Sequence, residues 1–217
     1  MKTDTFKAAL FDLDGVVLDS EPQYSLFWGA MGKLYQPEVK DFAQRIKGQT
    51  LEQIYAGWFG DDAARQAEIT KKLDAFELQM KFEYIPGFER FIQSLKAEGV
   101  LTAIVTSSND LKMSSVFAAR PELKGYFDRI LTSKDYNASK PAPDCYLKAA
   151  KLFGVQPTEC VVFEDSINGL KAGRASQAFV VGLATTNPST TVAPLSDLVV
   201  PDFTSLTFQA LQRAFRA

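Results

Sequence analysis

A chain of 217 residues is long enough for one domain of ordinary size or for a domain carrying an insertion. Its apolar share of 46% and charged share of 23% are those of a globular protein, and a net charge of −2 without a basic stripe excludes electrostatic capture of nucleic acid. Histidine is absent, which excludes a Ser-His-Asp triad, a His-paired cysteine nucleophile and a His-ligated zinc. Catalysis must therefore run on carboxylates, hydroxyls, lysines or a hard metal ion.

In chain order, the first apolar run is "KAALF", which walks directly into Asp12-Leu13-Asp14-Gly15. Residues i and i+2 of an extended chain share a side, so Asp12 and Asp14 repel when both are ionised unless a cation lies between them. About 70 residues with only helical periodicity follow. Tyr24, Phe27, Trp28 and Met31 recur at helical spacing behind Pro22. Leu51, Ile54, Tyr55 and Trp58 do so behind Thr50, with Gln53 placed to complete a capping box. Ile69, Leu73, Phe76 and Met80 form a third stripe.

Strand–helix alternation resumes near Pro86-Gly87. Phe88, Phe91, Ile92 and Leu95 mark a helix stopped by Gly99, followed by "VLTAIV", a strand ending near Leu131-Thr132, then "CVVF" and "AFVVG". Unalternated runs between helices suit strands buried on both faces of a parallel sheet. The pattern predicts an α/β protein: a Rossmann-like parallel sheet core formed by residues 1–16 and 85–217, with an α-helical cap domain inserted at 17–84. Cys145 and Cys160 lack paired spacing and are expected as buried free thiols. The N-terminal apolar run is too short for a signal peptide, and no segment approaches the roughly 18 apolar residues of a membrane span. The expectation is a cytoplasmic monomer.

Ligands of open parallel sheets bind beyond the carboxyl ends of the strands. The polar residues there are Asp12 and Asp14, the run Thr106-Ser107-Ser108-Asn109, Glu164-Asp165-Ser166, and Lys140 within "SKPAPD". Four acids against the single positive charge of Lys140 suit Mg²⁺, a hard ion content with carboxylates, waters and substrate phosphate. With both cations present a phosphate becomes an acceptable occupant, seated on Thr106 and on the Ser107 and Ser108 N–H groups at a helix start. The nucleophile left to such a site is a carboxylate, able to form an aspartyl-phosphate, and a second aspartate can serve as acid and base. Singly, each piece has an ordinary explanation: a turn, a helix cap, a solvated lysine, or, for Tyr24, Trp28, Tyr55 and Trp58, the core of the insertion. The ordered set points to chemistry.

"FDLDGVVLDSEP", "VTSSND", "SKPAPD" and "VVFEDSINGLKAG" together resemble the four motifs of the haloacid dehalogenase-like hydrolase superfamily, and within it the β-phosphoglucomutase and sugar-phosphatase branch. The match runs from residue 7 to about 185. The resemblance implies that Asp12 is the nucleophile and a magnesium ligand, and that Asp14 is the general acid/base with its backbone carbonyl on the metal. It implies that Thr106 and Lys140 hold the phosphoryl group, that Asp165 ligates magnesium, and that Glu164 ligates or supports it. The insertion would be the cap that closes over substrate. Ser107, Ser108 and Asn109 are candidate substrate contacts, as is Lys47, with Arg45 and Gln49 beside it.

Dehalogenases lack the second aspartate, so Asp14 argues for phosphoryl transfer. The mutase branch carries a cap histidine near Tyr24 and a cap arginine where this chain has Gln49-Thr50-Leu51, and both are missing here. The expected activity is Mg²⁺-dependent hydrolysis of a small-molecule phosphate ester, a sugar or polyol phosphate leading. A phosphomutase and a non-catalytic phosphometabolite-binding protein are the alternatives.

Overall fold

The computed structural model describes residues 5–217. Six strands, β1 (Ala8–Phe11), β2 (Leu101–Val105), β3 (Arg129–Leu131), β4 (Cys160–Glu164), β5 (Phe179–Leu183) and β6 (Leu198–Val200), pair in parallel in the order β3-β2-β1-β4-β5-β6. The helices are α1 (Glu21–Tyr35), α2 (Phe42–Arg45), α3 (Leu51–Trp58), α4 (Ala63–Glu77), α5 (Phe88–Ala97), α6 (Asp110–Ala119), α7 (Leu123–Tyr126), α8 (Asp144–Phe153), α9 (Ile167–Ala175), α10 (Ser189–Val192) and α11 (Phe208–Arg216). This is the Rossmann-like α/β architecture expected from the strand runs. None of the described helices is long and apolar enough to cross a membrane.

The strands are apolar throughout because both faces of the sheet are covered. Ala9, Phe11, Ile104, Val161 and Phe163 pack on one face with Phe88, Phe91 and Ile92 of α5 and Leu211 and Phe215 of α11. Ala8, Leu10, Ala103, Val105 and Val162 pack on the other with Cys145, Tyr146 and Ala149 of α8 and Ala172 of α9. Alternation along each strand thus feeds two cores, not one core and solvent. On the first face the Phe11 and Phe163 rings stack with centroids 4.4 Å apart and 5° between planes. Phe88 meets Phe11 edge-on, and Phe91 meets Phe163 in the same way. Cys145 and Cys160 are free and buried, and burial pushes their thiols up to about 11 and about 12.

Helices α1–α4 build a separate cluster from Phe27, Trp28, Phe42, Ile46, Ile54, Phe59, Ile69 and Leu73. The start of α3 carries the expected capping box, with Thr50 accepting from Gln53 N–H and the Gln53 side chain accepting from Thr50 N–H. Met80 departs from the helical stripe assigned to it. Helix α4 ends at Glu77, and Met80 is buried with the sheet-side cluster as the chain returns to the core. Outgoing and returning chains run side by side: Asp19 N–H donates to the Glu83 carbonyl at 2.8 Å and Ile85 N–H to that of Val17 at 3.0 Å. β6 was not expected; its three residues are too short to register as a run.

Phe163 is fully buried and immediately precedes Glu164. Phe163→Ala is expected to cost about 3–5 kcal/mol, read as a lower urea midpoint at unchanged slope. A loss below about 1 kcal/mol would mean that the ring stack adds little.

Candidate active site

Strand order reverses between β1 and β4, and the neighbouring strands release Asp12 from one and Glu164-Asp165 from the other. Lys140 joins them. It is 5% exposed, not a solvated surface charge, and its Nζ donates to Asp12 Oδ1 at 2.5 Å, Glu164 Oε1 at 2.6 Å and the Val105 carbonyl at 3.2 Å. Three protons meet three acceptors, which saturates the ammonium. Burial pulls the Lys140 pKa down, but Asp12 and Glu164 override it and hold it well above the ordinary lysine range.

Glu164 is saturated as well. Beyond Lys140 it accepts from Tyr146 Oη at 2.8 Å, the N–H groups of Asp165 and Ser166 at 3.1 and 3.2 Å, and Ser166 Oγ at 3.1 Å. Asp12 is different: burial raises it to about 7 against the pull of Lys140, with Glu164 and Asp14 adding to the rise. Burial, then Glu164 and Asp12, lift Asp165 well above the usual carboxylate range.

Oxygens of Asp12, Glu164 and Asp165 lie within 4.8 Å of one another. At an effective dielectric near 20, each ionised pair at that separation repels by roughly 3 kcal/mol. Asp165 Oδ1 is buried without a hydrogen-bond partner among the described residues. Gly15 makes the room for this carboxylate: its φ is +76°, and a Cβ there would sit 2.1 Å from Asp165 Oδ2. An orphaned carboxylate oxygen in an acid cluster, with no soft ligand beside it, fits a hard divalent cation.

Asp14 lies apart from that cluster. Its Oδ1 accepts from Ser20 Oγ, and its Oδ2 accepts from Ser108 Oγ at 3.2 Å and from Lys112 Nζ at 2.5 Å. Thr106, 1% exposed, accepts the Ser108 N–H at 3.0 Å through Oγ1, and Ser107 Oγ lies 3.4 Å from the Tyr136 hydroxyl that donates to it. Helix α6 starts later than Ser107-Ser108, because Asn109 is its N-cap and accepts from Lys112 N–H at 2.9 Å. Asn109 Oδ1 is thus already engaged within the protein.

Asp12, Asp14, Thr106, Ser107, Ser108, Asn109, Lys112, Lys140 and Asp165 line one cavity of about 620 Å³ between the sheet edge and the inserted helices, with the fully buried Glu164 outside its lining. The insertion contributes Tyr24, Trp28 and Tyr55, the acids Glu21, Glu52 and Glu77, and one cation, Lys47. Lys47 Nζ stands 4.0 Å from Glu21 Oε2. Gln49 also lines the cavity, whereas Arg45 turns its guanidinium to the Lys40 carbonyl. Burial raises both Glu21 and Glu77 above the usual carboxylate range. At the cavity rim the insertion is seated on the core by Asn168 Nδ2, which donates to the Gly48 carbonyl at 2.8 Å, and by Gln53 Nε2, which donates to that of Lys140 at 3.3 Å.

Two lysines, Lys140 and Lys112, therefore pair with the acids of this edge, where the sequence pointed to Lys140 alone, and Lys134 lines the cavity beside them. Lys112 gave one signal. It sits in the first turn of α6, where the helix dipole disfavours a cation, so a nearby anion is needed to hold it.

A family model described as haloacid dehalogenase-like hydrolase matches residues 6–177. Hexitol phosphatase A of Escherichia coli is 30% identical, over 82% of each chain. The β-phosphoglucomutase of Mycobacterium tuberculosis is 28% identical, over 92% of this chain and 91% of its own. The crystal structure of a HAD hydrolase, family IA, variant 3, from Entamoeba histolytica shares the fold with a TM-score of 0.85 and 23% identity, covering 97% of this chain and 100% of that one.

The raised acids would give a cation held among them a pH dependence with a fixed sign. At pH 5 Asp12, raised to about 7, carries a proton that a cation must displace, whereas at pH 8 it is ionised and repelled by its neighbours. The rise in melting temperature produced by millimolar Mg²⁺ is therefore expected to widen from pH 5 to pH 8. A rise that is flat or shrinks across that range would remove Asp12 from the cation site.

Proposed function

The chain belongs to the haloacid dehalogenase-like hydrolases, and from that premise we propose that it is a Mg²⁺-dependent phosphatase acting on the monophosphate of a sugar or polyol. The observation that carries the reading is the division of charge across the cavity. Lys112, Lys134 and Lys140 stand on the sheet side against Asp12, Asp14 and Asp165, a balance that a bound divalent cation would turn positive, while the insertion offers Glu21, Glu52 and Glu77 against Lys47. Such a cavity accepts one phosphoryl group at the sheet edge and a neutral, hydroxyl-rich remainder above it.

Asp12 attacks phosphorus through a carboxylate oxygen, the bond to the ester oxygen breaks, and Asp14 in its acid form gives that oxygen its proton. In the second half Asp14, now a carboxylate, takes a proton from water as the water oxygen attacks phosphorus; inorganic phosphate leaves and Asp12 is regenerated. The acceptor pattern of Asp14, with Ser20, Ser108 and Lys112 all donating, matches its form as base. Lys140 holds Asp12 and offsets phosphoryl charge, while Thr106 Oγ1 and Ser108 N–H exchange their mutual bond for phosphate oxygens. Asp12 and Asp165 would hold the magnesium with the Asp14 backbone carbonyl, and Glu164, whose oxygens already take five donors, supports them. When bound, the ion offsets the negative charge gathered on phosphate and carboxylates.

The likeness to β-phosphoglucomutase favours a mutase as the second reading. A mutase must grip a second phosphate in its cap, and the single cavity-lining cation of the insertion, Lys47, already faces Glu21.

The test is phosphate release from a panel of sugar, polyol and nucleoside monophosphates, with Mg²⁺ and then with excess chelator. Mg²⁺-dependent release from a sugar or polyol phosphate is expected. Asp12→Asn should reduce it by on the order of 10³-fold or more with unchanged circular dichroism. Conversion of β-glucose 1-phosphate to the 6-phosphate without release, given a bisphosphate activator, would establish the mutase instead. Inert wild type on every substrate would leave a binding protein.

A further inference from the structure

Lys112 is 4% exposed, and its only ion-pair partner among the described residues is Asp14, at 2.5 Å. It also stands 4.6 Å from the centroid of the Tyr24 ring on α1, and the Tyr24 hydroxyl donates to Glu77 Oε1 on α4 at 2.6 Å. One ammonium thus touches the loop after β1 and the inserted helices at once. The groups facing it are Asp14 from that loop, Tyr24 and Glu21 from α1, and Glu77 from α4.

Stability does not account for this lysine. A buried ammonium costs several kcal/mol in desolvation, the N-terminus of α6 adds repulsion, and well-packed apolar side chains commonly replace buried ion pairs at no loss. Removing it would not strand Asp14, which is partly exposed and retains Ser20 and Ser108.

We infer that Lys112 is a positioning residue, which fixes the Asp14 carboxylate for proton transfer and couples that fixation to the seating of the inserted helices through the Tyr24 ring. The ring covers one side of the ammonium. A covered ammonium binds its carboxylate more tightly than a hydrated one, so Asp14 is held hardest when α1 lies against α6. The inference rests on the acid/base role of Asp14 proposed above.

The experiment compares wild type, Lys112→Met, Lys112→Arg and Tyr24→Leu on the best substrate, with melting temperatures alongside. Lys112→Met is expected to lower kcat by about 10–100-fold with KM within about threefold, because acid–base assistance is worth roughly 10²–10⁴ in rate and mispositioning forfeits part of it. Lys112→Arg should restore part of the loss, and Tyr24→Leu should reproduce part of it. Lys112→Met is then repeated in an Asp14→Asn background, reading the p-nitrophenolate burst from p-nitrophenyl phosphate, whose leaving group needs no proton. There it should change the burst by less than about twofold, since nothing remains to be positioned.

An equal loss in both backgrounds overturns the inference, as does a raised KM at unchanged kcat, which would make Lys112 a substrate contact. Should Lys112→Met not fold, Lys112→Gln carries the same comparisons. Full activity in the lysine variants beside an active wild type overturns this inference alone. An inert wild type overturns it together with the phosphatase reading.

Discussion

Three carboxylates within 4.8 Å of one another, in ground with little water, form the constraint on which the site depends. Lys140 meets it in part. Its Nζ gathers one acceptor from the end of each of β1, β2 and β4, namely Asp12, the Val105 carbonyl and Glu164. One positive charge cannot balance three negatives: burial first, then Glu164 and Asp14, raise Asp12 to about 7 against the pull of Lys140, and Asp165 Oδ1 has no hydrogen-bond partner among the described residues. The cluster supplies less positive charge than three ionised carboxylates need.

What fixes the acids in place is ordinary core packing. The stack of Phe11 on Phe163 locks β1 to β4 one residue before Asp12 and Glu164 begin. Their rings are pinned from α5 by Phe88 and Phe91, so the carboxylates that follow have little freedom to relax apart. With the sheet too rigid to let them separate, the acids relieve their repulsion by holding protons, as the raised Asp12 and Asp165 show, which explains how such a cluster persists in a folded chain. Rigid strand ends hold reactive groups more exactly than a mobile loop does.

Much of this was legible in the residues. Continuous apolar runs gave the buried strands, and the Thr50–Gln53 pair gave the start of α3 as a bond pattern as well as a boundary. The polar residues ending the strand runs were the right ones to inspect, because parallel strands all point their carboxyl ends one way. Other features carried weaker signals. Three residues of β6 are too few to show a period, and Met80 keeps helical spacing although α4 has ended before it. Asn109 looks equally like a cap or a ligand contact, and only the structure shows its Oδ1 on Lys112 N–H. Lys112 itself is long and charged, and in sequence such a residue reads as solvated; its burial is a tertiary fact, decided by Asp14 at one end of the chain and Tyr24 in the insertion.

Under the proposed function, the insertion would add a different kind of selectivity from that of the sheet edge. Glu21 and Glu77 are raised by burial, so each meets a hydroxyl group either as acceptor or, when protonated, as donor. A phosphate or carboxylate in their place would be repelled by these acids whenever they are ionised. Tyr24, Trp28 and Tyr55 supply apolar surface between those acids, the mixture that suits the faces and edges of a polyhydroxylated carbon chain. Under the proposed function, the two walls of the cavity thus divide the substrate: the sheet edge selects what is transferred, and the inserted helices exclude whatever carries a second negative charge.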